Sequence, residues 1–62
     1  MNNLFKFVDV KDELPTKEGK YIVKTLTKYN NKHELQCSVS ITNGKVHFNV
    51  SNQIVTHWLK EI

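Results

Sequence analysis

Arginine and alanine are absent from this 62-residue chain, cysteine and proline occur once each, and glycine twice. All nine basic residues are lysine, and asparagine occurs seven times, a skew that an AT-rich coding sequence produces. The net charge of +3 therefore reflects codon usage as much as any anionic partner. Arginine is the residue of choice for bidentate guanine and phosphate contacts, so its absence argues against sequence-specific DNA reading. The single cysteine, Cys37, excludes an intramolecular disulfide and a cysteine-based zinc cluster. No apolar run approaches the roughly 20 residues of a membrane span, and Met1 to Val10 lacks the apolar block of a signal peptide. With 39% hydrophobic residues and so little Gly and Pro, the expectation is one small globular domain, residues 1–62, in the cytoplasm.

What is present is mostly strand pattern. Leu35, Cys37, Val39 and Ile41 alternate with polar residues; Asn43-Gly44 follows, and Val46, Phe48 and Val50 alternate again. An Asn-Gly pair between two such runs signals a two-residue hairpin, because both turn positions need positive φ. The register that results sets Thr42 opposite Lys45, Ile41 opposite Val46, Val39 opposite Phe48 and Cys37 opposite Val50. One face is then apolar, and the other carries Ser38, Ser40, His47 and Asn49.

Lys20 to Thr27 reads as a second, central strand, Ile54 to Leu59 as the last and Leu4 to Val10 as the first, with Tyr29 to Glu34 a polar connection. Asp9 to Pro15 reads as a turn or one short helical turn stopped by proline. The predicted fold is all-β, or β-rich with that one helical turn: a five-stranded, mostly antiparallel small sheet or partly open barrel. Trp58 is expected in its core against Val23 or Ile22 and Phe7.

Phe7-Val-Asp-Val-Lys-Asp-Glu-Leu-Pro15, Gly19, Tyr21-Ile-Val23 and Val55-Thr-His-Trp58 together resemble the family called domain of unknown function 551. Its members tend to begin with an aromatic residue, a Val-Lys-Asp-x-Leu-Pro stretch and a glycine before a strand, and to end on a Thr-His-Trp strand. Phe7 stands where that family usually has Trp, the proline-rich tail is missing, and Thr25 to Asn52 carries only generic strand similarity. The resemblance implies a small protein carried by phages or prophages and supplies no active site.

Cys37 with His33, His47 and His57 is the one set that suggests a metal or a Cys/His nucleophile. The hairpin register separates Cys37 and His47 onto opposite faces, so no metal, catalytic or cofactor site is expected. His57, beside the core residue Trp58, reads first as a sheet histidine and second as a ligand contact. Asp9, Asp12, Glu13 and Glu18 suggest paired carboxylates, but interleaved Lys11 and Lys17 favour turn capping and a solvated face. Lys11-Asp-Glu-Leu14 is internal and so no retrieval signal, and the sequon Asn49-Val50-Ser51 reads as chance.

Residues 20 to 32 hold four lysines and no acid. Lys20, Lys24 and Lys28, expected on one strand face with Tyr21 and Tyr29 nearby, suit a single-strand nucleic-acid surface, an acidic protein partner or protection of a sheet edge. Edge protection is the first reading. The residues expected to meet a partner are Lys20, Lys24, Lys28, Tyr29, Lys32, His47 and His57. The expected function is non-enzymatic: a module that binds and inhibits a host protein, with nucleic-acid binding as the alternative. A chain this short supplies few kcal/mol from one core, so a homodimer is expected, pairing through the Leu4 to Val8 or the Ile54 to Leu59 strand.

Overall fold

The computed structural model describes residues 4–62. Five strands, β1 (Phe5–Asp9), β2 (Gly19–Thr27), β3 (Lys32–Thr42), β4 (Lys45–Phe48) and β5 (Gln53–Glu61), form one open sheet in the order β1-β5-β2-β3-β4. Every pairing is antiparallel, the described residues contain no helix, and the sheet does not close into a barrel. No helix of the described residues is long and apolar enough to cross a membrane.

The β3–β4 hairpin has the register its turn dictates: Thr42 opposite Lys45, Ser40 opposite His47, Ile41 opposite Val46 and Val39 opposite Phe48. Asn43 and Gly44 both take positive φ, +53° and +77°. The ladder stops earlier than expected. Val50 donates to the carbonyl of Phe48, turning the chain away, so Cys37 and Val50 are not strand partners. Along this hairpin Val39 is fully buried and Ile41, Val46 and Phe48 are half-buried. No atom lies within 4 Å of where a Gly44 side chain would start, so a substitution there meets backbone strain alone. Gly44→Val is therefore expected to cost about 1–3 kcal/mol, the range for a left-handed non-glycine backbone. A urea melt coincident with that of the parent would show that the turn does not constrain the hairpin.

β3 begins at Lys32, so His33 and Glu34 belong to the strand, and the β2–β3 connection is shorter than the expected Tyr29–Glu34 loop. Thr27 closes it: its amide donates to Asn31, its hydroxyl accepts from the amides of Tyr29 and Asn31, and Asn30 takes φ +64°. Asparagine tolerates that region better than any residue but glycine.

The core lies on one face of the sheet and consists of Val8, Val23, Cys37, Val39, Val55 and Trp58. Val23 is fully buried at the centre, with Trp58 opposite it on β5 and Leu35 opposite it on β3. Val55 and Trp58 are three residues apart, a spacing that a regular strand sends to opposite faces. A β-bulge resolves this: Lys24 opposes His57 and Thr25 opposes Val55, leaving Thr56 as the extra residue. Its hydroxyl donates to the carbonyl of Lys24 at 3.2 Å.

Residues 10–18 fold over the core face. Asp9 starts the turn, accepting the Lys11 amide on its carboxylate at 2.8 Å and the Asp12 and Glu13 amides on its carbonyl, but no helix follows. Pro15 is buried, and Trp58 Nε1 donates to the carbonyl of Glu13 at 2.8 Å. Tyr21 packs its ring edge-on against Trp58, centroids 5.6 Å apart, and its hydroxyl donates to the carbonyl of Lys17. Phe7 corrects the expectation for Trp58. It opposes Leu59, one position out of phase with the Val8–Trp58 pair, and so lies on the opposite face from the indole.

A candidate binding face on the open side of the sheet

Among the described residues no layer covers the face opposite the core, and its composition is graded across the strands. Phe5 and Phe7 on β1 and Leu59 on β5 are apolar; Lys20, Ile22 and Lys24 stand on β2; Glu34, Gln36, Ser38 and Ser40 on β3 and His47 on β4 are polar. Phe5 is 52% exposed, Ile22 40% and Ile54 70%, so apolar carbon faces water directly.

Of the residues expected to meet a partner, Lys20, Lys24, Lys32, His47 and His57 do share this face. Lys28 and Tyr29 do not: β2 ends at Thr27, so both lie in the β2–β3 turn, where the Lys28 ammonium sits 5.1 Å from the Tyr29 ring centroid. Tyr21 belongs to the core side and offers no ring beside the lysines. The edge-protection reading is also overturned. β2 is the central strand, flanked by β5 and β3, so its lysines guard no edge. Nor are these lysines a purely basic stripe. One row across the sheet reads Asp9, His57, Lys24 and Glu34, two basic side chains flanked by an acid on either side.

Lys24 is the best-positioned of the cations. Its ammonium lies 4.2 Å from the centroid of Phe7, and such contacts contribute about 0.5–1 kcal/mol at exposed sites. His57 is held from both sides. Its Nδ1 lies 2.9 Å from Thr56 Oγ1, the same hydroxyl that lies 3.2 Å from the Lys24 carbonyl. The Asp9 carboxylate lies 3.9 Å from Nε2. The bulge thus positions His57, a device invisible in the strand pattern alone.

The acids of residues 9 to 18 are dispersed. Glu13 pairs with Lys60, and Glu18 accepts the Ile41 amide at 2.7 Å, continuing the β2–β3 ladder by one carboxylate. Among the described residues no three His, Cys, Asp or Glu side chains converge as a metal would require. Cys37 is buried on the core face, where desolvation pushes its thiol up and a backbone hydrogen bond from Asn49 partly offsets this.

Phe5, Phe7, Ile22 and Leu59 are the surface residues that pattern reading missed. Phe7 and Val8 are both apolar neighbours on β1, so the strand itself does not say which face is the core. Two open hollows adjoin the face: one runs beside Lys24, Lys32, Glu34 and His57, and the other lies at the sheet end among Leu26, Tyr29, Asn52 and Ile54. No protein-family model, curated protein or solved structure matches this chain.

Proposed function

We propose that this protein is a non-enzymatic binding module that docks another protein on the open face of its sheet. The observation that supports this most is the uncovered row of Phe5, Phe7, Ile22 and Leu59 beside Lys20 and Lys24. Protein interfaces combine an apolar centre with a polar rim in this way, and the lysines favour a partner whose rim is acidic. The resemblance of both chain ends to domain of unknown function 551 supports a bacterial host protein, inhibited when bound, as that partner, with anti-phage defence components the first to test. The site of action is then the host cytoplasm.

Affinity capture from bacterial lysate tests the reading, with wild-type protein beside Ile22→Glu and the double variant Lys20→Glu, Lys24→Glu. All three positions are exposed, so the variants are expected to fold. The expected result is one protein retained by the wild type and lost by both variants. Nucleic-acid binding is the second reading, supported by the exposed lysines near Phe5 and Phe7. A steep fall of log affinity with log salt on mixed-sequence single strands, with no protein captured, would replace the first reading by the second.

A further inference from the structure

The sheet has two edges, β1 and β4, and they are not equivalent. β4 is four residues long and ends where Val50 turns back onto the Phe48 carbonyl, which leaves little to pair with. β1 is different. Ile62 donates to Leu4 at 2.7 Å and Val10 donates to Thr56 at 3.0 Å, so the even-numbered residues of β1 bond inward to β5. Antiparallel pairing alternates bonded and non-bonded positions. The amides of Phe5, Phe7 and Asp9 and the carbonyls of Phe5 and Phe7 therefore point out of the sheet, and nothing among the described residues pairs with them. The Asp9 carbonyl alone is engaged, by Asp12 and Glu13. β1 contains no proline, and its one lysine, Lys6, alternates away from the open face.

We propose that β1 is a self-association edge: two copies of this chain pair their β1 strands antiparallel about a twofold axis at Phe7, forming one continuous ten-stranded sheet. Of the possible twofold registers, one centred on Lys6 sets lysine against lysine and one centred on Asp9 sets aspartate against aspartate. Centring on Phe5 or Val8 leaves part of each strand unpaired. Centring on Phe7 pairs all five residues: Phe7 with its counterpart, Phe5 with Asp9 and Lys6 with Val8. It makes hydrogen bonds between the two Phe7 residues and from each Asp9 amide to the other copy's Phe5 carbonyl. The reciprocal bond from the Phe5 amide falls on the Asp9 carbonyl, which also accepts from Asp12 and Glu13, and this weakens the two ends of the pairing. The same pairing brings Leu4, 64% exposed, opposite Val10 of the second copy. Of the two strands expected to pair, β5 lies between β1 and β2 and is excluded; the first strand remains. This surface is independent of the proposed function, since a monomer could still bind a protein on its open face.

Five residues a side cover less than the roughly 1,000 Å² of a stable interface, so the association is expected to be weak and concentration-dependent. Light scattering from micromolar to about 1 mM, the range of such weak complexes, should show the mass rise from 7.3 kDa toward twice that value. Phe7→Lys, which sets two cations together on the axis, should hold the monomer mass throughout, with circular dichroism reporting its folding. Two cysteine variants decide the register even if Phe7→Lys does not fold. Directly bonded partners lie about 5.5 Å apart at Cα, within disulfide range, so Phe7→Cys should cross-link under mild oxidation. Residue 5 lies about 13 Å from its counterpart in this register, so Phe5→Cys should not, and Cys37 is buried. A wild-type mass fixed at 7.3 kDa up to that concentration overturns the proposal, as does cross-linking of Phe5→Cys in place of Phe7→Cys.

Discussion

Trp58→Ala is expected to lower stability by about 3–5 kcal/mol, the usual cost of emptying an aromatic core site. A 62-residue domain has about 3–9 kcal/mol in total, so the substitution removes from about a third of the stability to all of it. Two losses combine at this position. The indole is 4% exposed, between Val8 and Val23, with Tyr21 edge-on. Its Nε1–H also ties down residues 10–18 through the Glu13 carbonyl. Trp58→Phe separates the two, keeping most of the ring contact and losing a hydrogen bond that contributes about 1 kcal/mol. Urea melts followed by far-ultraviolet circular dichroism measure both. A Trp58→Ala midpoint close to the parent's would mean that the indole does not hold the core.

Val23→Asp is expected to leave the chain unfolded at neutral pH and partly rescued in acid. Val23 is the most buried side chain of the central strand, with 0% exposure at the centre of the hydrophobic cluster. Full burial raises a carboxyl's pKa by up to 3–5 units, equivalent to about 4–7 kcal/mol of penalty on the ionised form. The sign follows from where the proton binds better. The native state holds it more tightly than the unfolded chain, whose aspartate ionises near pH 3.9. Stability is therefore highest below that pH and falls as pH rises toward the native-state value. Val23→Asn, of similar shape and without a charge, should show no such slope. Parallel pH profiles for the two variants would show that water reaches residue 23.

Thr25 shows why polarity by itself is not the problem at the centre of β2. It is 1% exposed, yet its hydroxyl donates to Gln53 Oε1 at 2.5 Å, and no buried side-chain polar atom among the described residues lacks a partner. Two positions along the same strand, an unpartnered carboxylate has no such acceptor or donor.

The sequence by itself determined what local chemistry controls. Asn43-Gly44 demands positive φ at two consecutive positions, and that demand carried the whole β3–β4 register with it, Val39 against Phe48 included. Cys37 inside and His47 outside followed from the same period of two. The existence of β1, β2 and β5 was equally legible, because runs such as Tyr21-Ile-Val23 leave few alternatives to extended backbone. Which strands lie side by side was decided by tertiary structure alone. β5 inserts between β1 and β2, pairing residues 26 to 56 positions apart in the chain, a contact that no local pattern encodes. That insertion exposes β1 at the edge and leaves β2 in the centre, as apolar residues on both of its faces suggested, so its lysines guard no edge. The bulge at Thr56 is likewise a tertiary choice. It brings Val55 and Trp58 to one core at the expense of strand regularity, because burying both is worth more than one unbroken ladder.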